Sequence, residues 1–216
     1  MPVLALFAPE MTPRNTFTIK KYALFAICIA GLMVWVKFLP QLNFIAALQQ
    51  AGNPTITATL QFISDSITFV SFGVPLAMLI WGERGTSKKK SRLSFLYVGL
   101  SIGVAGLVSY LIKKTTSIPR PYEIDARITQ WSVGGGYSFP SGHTTEAFAS
   151  AIAIIFLYRD PRLGIPMLLW ATTVAFSRIY LGVHYPFDIL GGIMIALTVT
   201  FFMRSLFQQK TEIFNR

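Results

Sequence analysis

Two histidines, His143 and His184, stand among residues suited to phosphate chemistry. His184 precedes Asp188 by four residues, a spacing that on a helix puts the pair on one face and within reach. A carboxylate on one imidazole nitrogen fixes the tautomer and aims the other nitrogen, as a nucleophile or general base requires. His143, with an ordinary pKa of about 6.5, can return a proton to a departing oxygen. Lys113, Arg120 and Arg178 add three cations: each Arg offers a planar fork for a tetrahedral oxyanion, and Lys a flexible point charge. Ser141 and Gly142 fall where a helix is expected to begin, with free amides and a positive dipole end to favour an anion. Glycine there lets an oxyanion approach the backbone. The set reads as a phosphate cradle with a nucleophile or base and an acid. Spacing leaves open whether His184 attacks phosphorus or activates water.

These residues must be held by membrane helices. Of 216 residues, 53% are hydrophobic and 13% charged, and the mean hydropathy is +0.54, which does not suit a soluble domain. Crossing roughly 30 Å of hydrocarbon takes about 20 apolar helical residues. Six segments qualify, near 22–39, 63–81, 94–112, 144–158, 163–183 and 187–207, the fourth short unless it extends back to Ser141, which with Thr144 is a plausible N-cap. The expected fold is all-α: a polytopic integral membrane protein in one domain over 1–216, with no repeat or linker. The first apolar run follows a basic cluster but shows no small-residue cleavage site, and reads as a retained helix. Between the first two spans, Leu42 to Leu48 forms a mildly amphipathic stretch, either an interfacial helix or an ordered loop.

The net charge of +10 is compatible with nucleic acid, anionic lipid or membrane flanks, and its distribution chooses the last. Alternating six helices places thirteen of nineteen Lys and Arg on one side: Arg14, Lys20, Lys21, Arg84, Lys88, Lys89, Lys90, Arg92, Arg159, Arg162, Arg204, Lys210 and Arg216. By the positive-inside rule both termini are cytoplasmic, and both histidines face the other side. The bilayer is the expected partner, and nucleic acid is not. The single cysteine, Cys28, excludes an intrachain disulfide and any CxxC metal or redox site.

Lys113 with Arg120-Pro121, Pro140-Ser141-Gly142-His143, and Ser177-Arg178 with His184 and Asp188 together resemble the three-part signature of the type 2 phosphatidic acid phosphatases. Bacterial acid phosphatases, glucose-6-phosphatase and vanadium haloperoxidases share this signature. No signature position is missing across 113–188, while the N-terminal third matches by hydropathy alone. The resemblance implies metal-free chemistry through a phosphohistidine, without a cofactor. On it, His184 attacks phosphorus, Asp188 orients His184, His143 protonates the leaving group, and Lys113, Arg120, Ser141, Gly142 and Arg178 hold the phosphoryl oxygens. It implies a membrane lipid phosphate as substrate, undecaprenyl diphosphate first, in a bacterial inner membrane with the site facing the periplasm or exterior. Phosphatidylglycerol phosphate, phosphatidic acid and lipid A are the alternatives. A lipid phosphotransferase and a non-catalytic lipid-binding protein are the competing functions, though binding alone needs no nucleophile with an orienting carboxylate.

Other residues invite weaker readings. Arg178 falls within an apolar span, where charge is costly and points to function. Lys114 and Arg127 read as surface groups, Asp65 as an outer-interface residue, and Glu146 as a group one turn beyond His143. Gly134-Gly135-Gly136 is either a flap or a passive turn. Tyr122, Trp131, Tyr137 and Tyr185 fit an interfacial aromatic belt.

Overall fold

The computed structural model describes residues 13–83, 88–210 and 213–214, and among them all regular structure is helical. Arg84 and Arg216, two of the cations assigned to the cytoplasmic side, lie outside the described residues. The described helices are α1 Pro13–Lys37, α2 Gln41–Gln50, α3 Pro54–Asp65, α4 Ile67–Glu83, α5 Lys88–Thr116, α6 Pro121–Ile124, α7 Gly142–Tyr158, α8 Pro161–Tyr180 and α9 Pro186–Lys210.

The helix starts follow local chemistry. Asn53 caps α3 by accepting from the Ile56 amide at 2.9 Å, with Pro54 in the first turn where its missing N–H costs nothing. Asp160 caps α8 through the Arg162 amide at 2.9 Å, ahead of Pro161. Ser141 caps α7, as its type and place suggest.

Three helical stretches are long and apolar enough to cross a bilayer: Lys88–Ile124, Pro161–Tyr180 and Pro186–Gln208. The number rises to five if each of two bent pairs is one span. One pair is α1 with α2, bent by 83° at Pro40; the other is α3 with α4, bent by 44° at Ser66. The segment 63–81, which reads as one helix by hydropathy, is therefore broken. The break has polar ties that hydropathy does not register: Ser66 Oγ donates to the Ile63 carbonyl at 2.6 Å and accepts from Trp170 Nε1 of α8 at 2.9 Å. The mildly amphipathic stretch after Pro40 is the helix α2, and it packs inward, with Ile45 and Ala46 buried in the core.

Helix α7, with 17 residues, is the centre of the bundle and packs against α5, α8 and α9. Its fully buried Ala147, Ala149, Ala151 and Ala153 let those neighbours come close. In a bilayer, where apolar side chains gain little by leaving lipid, such close van der Waals packing is what associates helices. Outside this centre α3 lies on α8, α4 on α5, and α1 on α9. Trp35, Phe62 and Phe69 on these outer helices are exposed, as a lipid-facing surface requires.

Candidate active site

All eight residues singled out by type and spacing come from one end of this bundle. Lys113 ends α5, Arg120 precedes α6, Ser141, Gly142 and His143 open α7, Arg178 closes α8, and His184 and Asp188 flank the start of α9.

The turn that delivers His184 is made by Gly182, at φ 76°, a left-handed conformation that a side chain disfavours. The amides of Val183 and His184 then both reach the Arg178 carbonyl, at 3.2 and 3.1 Å, tying the histidine to the end of α8. His184 and Asp188 are 2% and 1% exposed. His184 Nδ1 lies 3.2 Å from Asp188 Oδ2. With Nδ1–H donating to the carboxylate, Nε2 keeps its lone pair, and Nε2 stands 3.5 Å from Arg120 Nη1. Asp188 Oδ2 also accepts from the Tyr185 amide at 2.8 Å and from Ser138 Oγ at 2.5 Å. Burial, with the charges of Arg120, Arg178 and Lys113 added, holds His184 well below its ordinary pKa, so the ring is neutral at neutral pH.

The three cations are held by the loop of residues 132–138. Arg120 donates through Nε to the Gly136 carbonyl, through Nη2 to those of Gly135 and Tyr137, and through Nη1 to that of Val183. Lys113 Nζ donates to the carbonyls of Tyr137 at 2.7 Å and Ser138 at 3.1 Å. Arg178, 1% exposed, donates through Nη1 to Ser64 Oγ at 2.5 Å and Ser132 Oγ at 2.9 Å, and through Nη2 to the Val133 carbonyl at 3.1 Å. Gly134 lies flat on Arg120, for a Cβ there would meet the guanidinium at 3.0 Å.

Ser141 Oγ accepts from the Thr144 amide at 3.4 Å and from Thr144 Oγ1 at 2.9 Å. The opening amides of α7 beyond that cap have no intrahelical partner, and the space over Gly142 is open. His143, at the mouth of the site, is half-buried. Burial first, then the charges of Arg178, His184, Arg120 and Lys113, lower its pKa below the ordinary value that the sequence suggests, so it takes up a proton only once a phosphate anion offsets those cations. The Ser141 amide bonds the Asp188 carbonyl at 3.1 Å, which joins the start of α7 directly to the start of α9.

Glu123 accepts from the Arg120 amide at 2.8 Å and so borders this cluster, whereas Arg127, Lys114 and Glu146 make their contacts elsewhere. Arg127 pairs with Asp125 at 2.6 Å and with Asn43 at 2.7 Å on the surface. Lys114 sits over the Tyr110 ring, and the half-buried Glu146 faces α5 at Gly106. Of the aromatic group only Tyr137 is exposed; Trp131 packs on Tyr180, and Tyr122 and Tyr185 pack on the core.

Sequence reasoning passed over Ser64, Ser132 and Ser138. Ser64 lies 114 residues from Arg178, and no spacing could have joined them. Ser138, three residues before Ser141, was the nearest to legible, because it shares the segment that carries the helix cap.

The arrangement can hold a multiply charged oxyanion beside a neutral, oriented imidazole. A family model described as the PAP2 superfamily matches residues 94–212, a span that contains every candidate residue. Undecaprenyl-diphosphatase BcrC of Bacillus subtilis is 34% identical over 150 residues, covering 69% of this chain and 74% of that protein. The lipid A 4'-phosphatase of Bacteroides thetaiotaomicron is 47% identical over 62 residues, 29% of this chain and 28% of that protein. Among solved structures, the PAP2 type phosphatidylglycerolphosphate phosphatase of Bacillus subtilis superposes with a TM-score of 0.64 at 20% identity, covering 88% of this chain and 96% of that one, a likeness of fold. With the family model matched over more than half of its length and a relative of this identity over more than two thirds, the chain belongs to the PAP2 superfamily.

Proposed function

We propose that this lipid phosphate hydrolase works without a metal, through a phosphohistidine on His184, and that its substrate is undecaprenyl diphosphate. The observation that carries the reading is the buried His184 ring, bonded through Nδ1 to Asp188 with Nε2 beside Arg120. Nε2 attacks the terminal phosphorus, an N–P bond forms, and the bond from that phosphorus to the bridging oxygen breaks, so that the lipid monophosphate departs. His143 gives its proton to the leaving oxygen. Water then attacks phosphorus, losing a proton to His143, and the N–P bond breaks to release inorganic phosphate. Lys113, Arg120, Arg178 and the opening turn of α7 with Ser141 and Gly142 hold the phosphoryl oxygens as charge spreads over them. Three cations around Asp188, the one fully buried carboxylate among the described residues, favour an anion over a metal ion in this place, which supports the metal-free route.

The substrate choice is supported by the similarity to an undecaprenyl-diphosphatase over most of both chains. Lipid A is the second reading, favoured by the higher identity over a shorter segment. Helices flanking the site are long and apolar enough to cross a bilayer, which supports a site at the membrane interface, where a lipid headgroup reaches the cations while its tail stays in the bilayer. We take the bent pairs as single spans and α7 as a further one, giving six, with cytoplasmic termini and the site facing the periplasm or exterior of a bacterial inner membrane.

The test is phosphate release from detergent-solubilised undecaprenyl diphosphate, lipid A, phosphatidylglycerol phosphate and phosphatidic acid in EDTA, for wild type and His184→Ala. Release that survives chelation and is lost in the variant is expected, with undecaprenyl diphosphate turned over fastest. Transfer of the phosphoryl group to a second lipid overturns hydrolysis, activity restored only by a metal overturns the mechanism, and a preference for lipid A overturns the substrate.

A further inference from the structure

We propose that Ser138 is a positioning residue for the nucleophile, its hydroxyl setting the rotamer of Asp188 and through it the aim of His184; this rests on the phosphohistidine reading above. Ser138 is 0% exposed and 50 residues from Asp188, so the contact is a product of the fold.

Three donors converge on one carboxylate oxygen, and their lengths rank them. Ser138 Oγ is at 2.5 Å, the Tyr185 amide at 2.8 Å and His184 Nδ1 at 3.2 Å from Asp188 Oδ2. An O–H to carboxylate bond of this length is among the stronger charge-assisted kinds, whereas the imidazole contact is at the long end. The carboxylate is therefore set by Ser138 and the Tyr185 amide, and the histidine aligns to it and to the backbone of Ser138, with which it also interacts. The Tyr185 amide belongs to the same turn as His184 and moves with it, so Ser138 supplies the external reference.

Ser138 is itself fixed at both ends of its backbone. Its amide donates to the Ile118 carbonyl at 2.7 Å, and its carbonyl accepts from Lys113 Nζ at 3.1 Å. One residue thus ties a cradle cation through its carbonyl and the carboxylate of the nucleophile through its hydroxyl. A shift of either would change the distance between the phosphoryl group and Nε2, on which in-line attack depends.

The experiment measures steady-state kinetics of phosphate release from undecaprenyl diphosphate and from lipid A, over a pH series, for wild type, Ser138→Ala, Ser138→Cys and His184→Ala. Cysteine keeps the size but donates weakly. Both Ser138 variants should lose roughly 10- to 100-fold in kcat, the range of a buried hydrogen bond to a charged group, with KM within about twofold. The acid limb of kcat/KM should also move to higher pH, since a carboxylate freed of the Ser138 donor is a better partner for a protonated imidazole. A merely structural loss would leave that limb in place. Kinetics within about twofold of wild type in the folded Ala or Cys variant, or a loss in kcat or KM with an unmoved limb, overturn the proposal. Full activity in His184→Ala instead overturns the underlying mechanism, so the two failures are distinct.

Discussion

Arg120 Nη1 lies 3.5 Å from His184 Nε2, so the cation assigned to the phosphoryl group and the lone pair assigned to attack it share one small buried space. The same guanidinium is held by the carbonyls of Val183, Gly135, Gly136 and Tyr137, which fix its plane. Lysine would keep the charge and lose the fork. Arg120→Lys should lower kcat/KM by roughly 100- to 1,000-fold, the scale of removing one preorganised oxyanion donor. Phosphate release under kcat/KM conditions checks this, and a loss below tenfold would show that point charge alone suffices.

The depressed pKa of His184 has a sign that can be worked through. Burial first, then Arg120, Arg178 and Lys113, disfavour its protonated form. The folded protein therefore binds fewer protons here than the unfolded chain, and this contribution to stability is full above the ordinary value of 6.5 and is lost as pH falls below it. The free imidazole also persists below that pH, so the acid limb of kcat/KM should have its midpoint under 6.5. A pH series of kcat/KM and of thermal unfolding tests both, and a limb centred above about pH 7 contradicts the assignment.

Ser64, at the end of α3 beside the break from α4, donates no charge but accepts from Arg178 Nη1 at 2.5 Å. Removing its oxygen leaves that nitrogen with Ser132 alone. The cost of Ser64→Ala should be about 1–3 kcal/mol, that of a buried charged donor losing a partner. Thermal unfolding in detergent measures it, and an unchanged midpoint would mean the loop alone holds Arg178.

Helices α7 and α9 touch at Gly192, where a Cβ would stand 2.9 Å from the Ser141 carbonyl and 3.1 Å from Thr144 Cβ. Gly192→Ala should force the seam apart, costing about 1–3 kcal/mol. It should also lower kcat, because Ser141 and Asp188 are bonded across that seam. Gly103→Ala, where a Cβ meets nothing within 4 Å, should be neutral or slightly stabilising by helix propensity. Parallel unfolding and activity measurements decide, and equal behaviour of the two variants would sink the argument.

Much of the helical organisation could be read from the chain because hydropathy and capping are local. The apolar runs around α5, α8 and α9 and the cap at Ser141 fall where residue types put them. The break at Ser66 could not be read, since its hydrogen bond to Trp170 spans 104 residues. The same holds for α2, whose buried face depends on what lies beneath it. Gly134 to Gly136 offered two readings by composition; the fold lays the Gly135 and Gly136 carbonyls on Arg120, an outcome that depends on a partner in another segment.

By itself the sequence determined the types and spacings of the eight candidate residues, the helical character of the chain and its membrane composition, because these depend on side-chain chemistry and near neighbours along the chain. Only the tertiary structure decided that Ser138 meets Asp188, that Ser64 and Ser132 hold Arg178, and that backbone carbonyls occupy the donors of Arg120 and Lys113. Those contacts join segments from α3, the 132–138 loop, α5, α8 and α9. A buried charge takes whatever acceptor the packing brings within about 3 Å, and that identity is a property of the packed helices.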